Sequence, residues 1–469
     1  MRMHTKRIAE MIEKKRDAFI KVSDQIWAFA ETRFEEYQSA ELLAQTLEGE
    51  GFKVEFGVGG IKTAFIGSFG SGNPVVAILG EFDALSGMSQ KKGQTKEEPL
   101  VAGANGHGCG HNLLGTASLA AAIAVKEYME ENNMKGTVRY YGCPGEEGGS
   151  GKAFMARAGL FDDVDFALCW HPMGYNSIMS TDSLANYQIY FKFKGKSAHA
   201  AASPHLGRSA LDAVELMNVG VNYLREHIIP EARVHYAITN SGGLSPNVVQ
   251  PKAEVLYLIR APKVDQVQEI YERVCKIAQG AALMTETEVE IVFDKACSNL
   301  VQNKLLEEVM YKNFQELGVP MHDEAELQLA KEIRATLSKQ ELATSEKQSS
   351  DMPAPDMVTW LNPYDGSKIP LNGSTDVGDV SWITPTAQCT TACYVNGSTL
   401  HSWQWVSLGA TSMAHKGMLH AGKVMASTAI DMLKNPKLIE QAKAELKQRL
   451  GGQTYVCPIP EGVMPSAKK

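Results

Sequence analysis

Residues 103–131, GANGHGCGHNLLGTASLAAAIAVKEYMEE, decide the fold. The first half is a glycine-punctuated loop carrying two histidines and a cysteine. The second half, from Thr116, is rich in small residues, the composition of a helix packed closely against a sheet. Just upstream, Pro74 to Leu79 (PVVAIL) is a short, continuously apolar run, as in a strand buried on both faces. Downstream come TVRYYG, ending in the acidic turn PGEEGG, and FALCW, ending in HP. Strands alternating with helices, with polar residues at the strand ends, predict an open α/β sheet whose ligand site lies at the carboxyl ends of the strands.

The texture changes from about Asn186. YQIYFKFKG alternates apolar and polar residues, and a strand-helix-strand-strand-helix-strand order follows, closing with EVEIVFD. This is the order of a small α/β sandwich inserted in the larger unit. The predicted boundaries are 1–185 and 296–469 for the larger domain and 186–295 for the insert. At 469 residues, two domains are also the default for length. The segment from about 323 to 370 is polar and broken at Pro353, Pro355 and Pro363; EAELQLAKEIRATLSKQELA within it reads as a solvated helix. SAELLAQTLEGEGF reads as an amphipathic helix ending at Gly51. The opening MRMHTKRIAEMIEKKRDAF reads as a helix with Ile8, Met11 and Ile12 on one face.

A net charge of −8 and a pI near 5.9 argue against a nucleic-acid partner, which needs a basic face. No stretch approaches the roughly 20 apolar residues of a membrane span, and the N-terminus lacks the apolar core of a secretory signal. The expectation is a cytoplasmic chain. Its eight cysteines include no CxxC pair and read as reduced thiols, Cys109 apart.

His107, Cys109 and His111 place two imidazoles and a thiol within five residues, on a glycine backbone free to wrap an ion. A surface glycine turn is the bland alternative. Glu146 and Glu147 end one strand, however, and His171 ends the next. Core packing does not explain such a convergence, whereas a dication offsets the cost of a buried carboxylate pair.

The strings GHGCGHN, PGEEGG, WHP and GKSAHA, in that order, resemble the M20 family of metallopeptidases, in its aminoacylase and amidohydrolase branch. GEFDALSG, GSTDVGDVSW and AHKGM add to the likeness, which runs over nearly the whole chain. The resemblance implies a zinc-peptidase-like catalytic domain with an inserted lid and dimerisation domain. It also implies two divalent ions per chain, manganese or zinc. Cys109 would bridge them, His111 and His171 completing one site, Glu147 and a C-terminal histidine the other. His415 is the choice for that last ligand and His420 the fallback; His401 and Trp403 are left unassigned. Glu146 matches the general base. Asp83 matches the aspartate that steadies a metal-binding histidine, although Glu81 and Ser86 depart from the usual pattern around it. His199 matches a lid histidine that reaches into a partner's active site. Arg260 and Asn247 match substrate-binding lid positions; a turn cap and a strand-end arginine are their bland readings. Ser374, Thr375 and Asp376 are candidates for substrate contact or for helix capping.

The activity implied is hydrolysis of the amide bond of an N-acyl amino acid, with p-aminobenzoyl-glutamate the best-matched substrate. A dipeptidase or aminoacylase acting on another acyl amino acid is the alternative. A non-catalytic partner subunit is a third reading, and the presence of every expected ligand opposes it. The resemblance also implies a homodimer, or a heterodimer with a related subunit.

Overall fold

A computed structural model describes residues 1–348, 354–370 and 373–467; Pro353 and part of the loop around it lie outside these. The strands in chain order are β1 (Lys53–Phe56), β2 (Phe65–Ser71), β3 (Val75–Gly80), β4 (Gly136–Gly142), β5 (Phe166–Met173), β6 (Ser177–Ile178), β7 (Thr181–Asp182), β8 (Ala185–Lys194), β9 (Arg233–Asn240), β10 (Lys252–Ala261), β11 (Glu288–Cys297), β12 (Ile369–Pro370) and β13 (Thr386–Ala392). Among the described residues they form a seven-stranded sheet ordered β1-β2-β4-β3-β5-β13-β6, a four-stranded sheet ordered β11-β8-β10-β9, and a β7–β12 pair.

In the large sheet β4, β3, β5 and β13 are parallel, while β1, β2 and β6 are antiparallel to their neighbours. β3 is buried along its whole length, which explains the unbroken apolar run in its sequence. The chain steps from β3 to β4 through the helix His111–Glu131, then crosses back past β3 to β5. Open α/β sheets place their ligand sites at such a reversal, at the carboxyl ends of the strands. The small-residue helix His111–Glu131 packs on the methionine-rich helix Ser412–Lys434, and on Met3–Lys14 and Arg16–Phe29. Alanine and glycine side chains let these backbones approach closely, and nearly all of Ser412–Lys434 is buried core.

The smaller sheet lies wholly between Ala185 and Cys297. Its inner strands β8 and β10 alternate buried and half-buried residues, the edge strand β9 is largely exposed, and helices Ala210–Leu224 and Val264–Thr285 cover the buried face. The strand-helix-strand-strand-helix-strand order is the one read from the sequence.

Several sequence expectations are corrected. The N-terminal helix breaks at Lys15 into two, Met3–Lys14 and Arg16–Phe29. Ser39 to Phe52 helps form a helix that starts earlier and ends before Gly51, spanning Tyr37–Gly49. The polar stretch is two helices, Glu324–Arg334 and Lys339–Gln348, the first burying Ala330 and Ile333 rather than lying in solvent. β1, β2 and the central β13 were not anticipated.

His420, the fallback metal ligand, is a core residue. Its ring packs against Phe314 with centroids 5.3 Å apart. Burial, with the Lys423 charge adding to it, pulls its pKa down to about 3. A histidine depressed in the folded state contributes stability that is present above the unfolded value near 6.5 and lost as pH falls toward 3. His420→Leu is therefore expected to flatten the loss of stability between about pH 7 and 5, followed by thermal unfolding. Identical slopes in variant and parent would show that this imidazole is not held neutral.

Candidate metal centre and active site

The loops leaving the parallel strands converge. Immediately after β3 comes Glu81-Phe82-Asp83, and Asp83 is 1% exposed. One Asp83 oxygen lies 2.8 Å from Nδ1 of His111 and the other accepts the backbone N–H of Glu147 at 2.8 Å. With Nδ1 committed to a carboxylate, Nε2 of His111 is the nitrogen left to bind an ion. His111 opens its helix behind Gly110, whose φ of 76° is left-handed. A Cβ at Gly110 would also lie 2.3 Å from the Tyr394 hydroxyl, so only glycine serves there.

The remaining donors come from three further elements. His171, near the end of β5, has Nδ1 2.9 Å from the Pro172 carbonyl and Nε2 3.4 Å from Sγ of Cys109. Glu147 follows β4, and its Oε1 is 3.2 Å from Nε2 of His401. His401 sits at φ 60° in the loop after β13 and donates its backbone N–H to the Gly108 carbonyl at 2.9 Å. Three donor groups result among the described residues, Cys109 with His111 and His171, Cys109 with Glu147 and His401, and Glu81 with His111 and Glu146, each with its ligand atoms within 4.8 Å of one another. The first two share the cysteine sulfur. Donors on one tetrahedral ion lie about 3.3–3.6 Å apart when their bonds are about 2.0–2.3 Å long, so these spacings suit coordination. Nε2 of His111 and Oε1 of Glu147 are buried and form no well-aligned hydrogen bond, their nearest polar contacts being Glu81 at 3.3 Å and His401 at 3.2 Å, an arrangement that a cation taking both would relieve. The residues therefore fit a pair of divalent ions.

The last sequence choice for a ligand is corrected. His415 lies on the core helix with Nε2 2.8 Å from an Asp24 oxygen and belongs to none of these donor groups. The C-terminal histidine that lies with Cys109 and Glu147 is His401. No local pattern marks LHSWQW as ligating; the loop after β13 brings it in. His107, the first histidine of the glycine loop, is also no member of these groups: its Nε2 lies 3.0 Å from the Ile26 carbonyl.

Electrostatics separates the two adjacent glutamates. Burial first, then the charges of Glu81, Asp376 and Glu147, push Glu146 well above the carboxylate range. Burial acts the same way on Glu147, but the His401 contact and the His111 charge outweigh it and hold this carboxyl at about 2. Burial and the Glu147 charge raise the Cys109 thiol well above its usual value, a preference that a dication reverses.

Lys152, three residues after the acidic turn, was missed in the sequence. Its ammonium is fully buried, 2.6 Å from Glu81 and 2.7 Å from Asp376, and its backbone N–H donates to Asp376 at 2.8 Å. Asp376 thus serves Lys152 rather than capping the helix Val377–Ser381. The other Glu81 oxygen lies 3.3 Å from Nε2 of His111.

The insert contributes Arg260, which donates to the Ser374 hydroxyl at 2.7 Å and interacts electrostatically with Glu146. His199 is exposed, and its Nδ1 accepts the backbone N–H groups of Ala201 and Ala202 at 3.2 and 3.1 Å. Its Nε2 therefore carries the proton and is a donor. The exposed Asn247 sits beside it, its carbonyl accepting from the Ala200 N–H at 2.9 Å. Within this chain neither His199 nor Asn247 joins the donor groups.

Residues 77–466 match the model of peptidase family M20/M25/M40. The chain belongs to this family. It is 53% identical to a p-aminobenzoyl-glutamate hydrolase subunit from Escherichia coli, over 98% of both chains. It is 28% identical to the Xaa-Arg dipeptidase of Mus musculus, over 95% of this chain and 92% of that one. In structure it is similar to a dinuclear metal binding peptidase of the M20 family from Bacillus subtilis, with a TM-score of 0.55 at 17% identity, covering 90% of this chain and 99% of that chain. The protein is an M20-type, metal-dependent amidohydrolase, and among the described residues no helix is long and apolar enough to cross a membrane.

Two substitutions test the ligand set. His401→Ala is expected to leave one firmly bound ion per chain, and His415→Ala two, counted by elemental analysis after dialysis. Lys152→Met strands two buried carboxylates and is expected to cost on the order of 3–5 kcal/mol of stability, read by denaturant unfolding.

Proposed function

We propose that this chain hydrolyses the amide bond of an N-acyl amino acid, with p-aminobenzoyl-glutamate as substrate. The observation that carries the reading is Glu146, a raised carboxyl beside the two donor groups that share Cys109 and in electrostatic reach of Arg260. The choice of acyl group and amino acid rests on the name of the 53% identical relative.

Two zinc or manganese ions, when bound, would supply Lewis acidity and a water of lowered pKa. Around them the chain's own groups divide the work. Glu146 takes a proton from the attacking water and returns it to the departing amide nitrogen. Its raised pKa favours the second of these tasks, since a carboxyl shifted upward by burial and neighbouring acids holds its proton more readily. Asp83 keeps His111 in one tautomer and holds the Glu147 backbone, so both ligands point into the crevice. Arg260, a planar fork already oriented by Ser374, suits the free α-carboxylate of the substrate.

His199 and Asn247 fit a partner's site rather than their own. His199 presents an Nε2–H donor to solvent, the group an oxyanion needs. The insert also offers a surface for pairing: β9 is an edge strand with Tyr236 and Ile238 exposed, and helix Ala210–Leu224 exposes Leu216, Val219 and Tyr223. A homodimer or a heterodimer with a related subunit would cover it; the bacterial relative is itself named as one subunit of its enzyme. Residues 186–295 then act as a lid as well as a dimerisation domain, hinged near residues 185 and 296.

Metal-stripped protein reloaded with zinc or manganese is expected to release p-aminobenzoate from p-aminobenzoyl-glutamate, and Glu146→Ala to reduce turnover by about 10²–10⁴-fold. A protein that binds two ions yet releases nothing contradicts the substrate. Coexpression of His199→Ala with Glu146→Ala chains is expected to regain activity that neither variant has alone, because one composite site in a mixed dimer is intact. Absence of that rescue in isolated mixed dimers would show that His199 does not act across the interface.

A further inference from the structure

The segment Glu31–Glu36 lies far from the metal ligands in sequence, yet it grips the loop that carries two of the site's carboxylates. Glu36 accepts the Gly145 N–H at 2.9 Å. The Phe34 ring covers the same loop so closely that a Cβ at Gly145 would lie 2.8 Å from it. Arg33 donates through Nη1 to the carbonyl of Gly148, the residue after Glu147. The same guanidinium forks onto Asp294 of β11, at 3.1 and 3.2 Å. Both partners are almost completely buried, Arg33 at 6% and Asp294 at 8% exposure.

Asp294 reaches this position through a local irregularity. β11 pairs Phe293 with Ile189 and Lys295 with Gln188, so Asp294 is an extra residue in the ladder. A bulge of this kind re-aims a side chain, and here it sends the carboxylate toward Arg33 and the Gln188 amide, the latter 2.6 Å away. The bulge lies three residues before Cys297, at the end of the insert's last strand. A buried ion pair is weak evidence for stability, so a different reason for this one is of interest.

We propose that Arg33 is a positioning residue that couples the insert to the metal centre: the Asp294 bulge fixes the guanidinium, and the guanidinium fixes the Gly148 carbonyl and with it the aim of Glu147. This rests on the two-ion reading of the site, and its test does not require the substrate assignment.

The experiment measures zinc affinity of the full-length protein by competition with a chelating dye, for the parent and for Arg33→Gln, Asp294→Asn, the double variant and Lys443→Gln. Lys443 pairs with Asp165 away from the centre and serves as a control for lost ion pairs. Arg33→Gln is expected to weaken one of the two ions by about 10–100-fold, the usual effect of removing a group that orients a ligand. Asp294→Asn is expected to act in the same direction, and the double variant to be no worse than Arg33→Gln alone, since the two residues act in series. Turnover of p-aminobenzoyl-glutamate, measured in parallel, is expected to fall in kcat with KM little changed. Zinc affinities within twofold of the parent in folded Arg33→Gln would overturn the proposal. If that variant fails to fold, parental zinc affinity in Asp294→Asn would overturn it equally. A parent that holds two zinc ions but leaves p-aminobenzoyl-glutamate intact would contradict the proposed substrate, while the zinc measurements would still decide the role of Arg33.

Discussion

Asp83 is buried where β3 leaves the sheet, and its two oxygens tie two separate loops together. One fixes the ring of His111 at the start of a helix, and the other takes the backbone N–H of Glu147 beyond β4. Since β3 and β4 are parallel neighbours, a single carboxylate can span the loops at their carboxyl ends. The parallel register thus becomes side-chain aim. His171 arrives on β5, and His401 in the loop beyond β13, because those strands continue the same parallel run. A short carboxylate buried at this corner can hold the imidazole tautomer and the glutamate backbone at once; an amide would set its NH2 donor against one of these two N–H groups.

Charge is the second constraint. Glu36, Glu81, Asp83 and Asp376 are buried in or beside the centre, Glu146 and Glu147 are half-buried among them, and the fully buried Lys152 opposes this negative charge. Burial pushes Glu36 and Glu146 well above the carboxylate range. Such a concentration of acids is unfavourable in a protein interior unless cations join it, and two dications sharing a cysteine thiolate would do so. Lys152 takes one oxygen of Glu81 and one of Asp376, while among the described residues Glu146 has no close ion pair and feels Arg260 at longer range.

Much of this was legible in the sequence, and the parts that were not share a cause. The apolar run at Val75–Gly80 and the small-residue helix are local patterns visible in the sequence, although the helix starts at His111 rather than at Thr116, so HNLLG belongs to it and not to the glycine loop. The strand order of the insert followed from alternation in the same way. His401 was passed over for His415 because both lie in ordinary surroundings, and only the loop after β13 decides which one meets Glu147. Lys152 and Arg33 look like surface cations in sequence; their burial depends on carboxylates 71 and 224 residues away in one case and 261 in the other. β13, in the middle of the sheet, lacks the long aliphatic run of β3, since threonine, glutamine and cysteine fill it. Long-range pairing carries no local signature, and it is long-range pairing that completes this site.

Two ions sharing the sulfur of Cys109 are what the proposed chemistry requires. Diffraction from zinc-soaked crystals at the zinc absorption edge tests this arrangement most directly. Two anomalous peaks per chain are expected, each about 2.3 Å from Sγ of Cys109, one bounded by His111 and His171 and the other by Glu147 and His401. A single peak, or a second peak beside His415 and remote from Cys109, would contradict it.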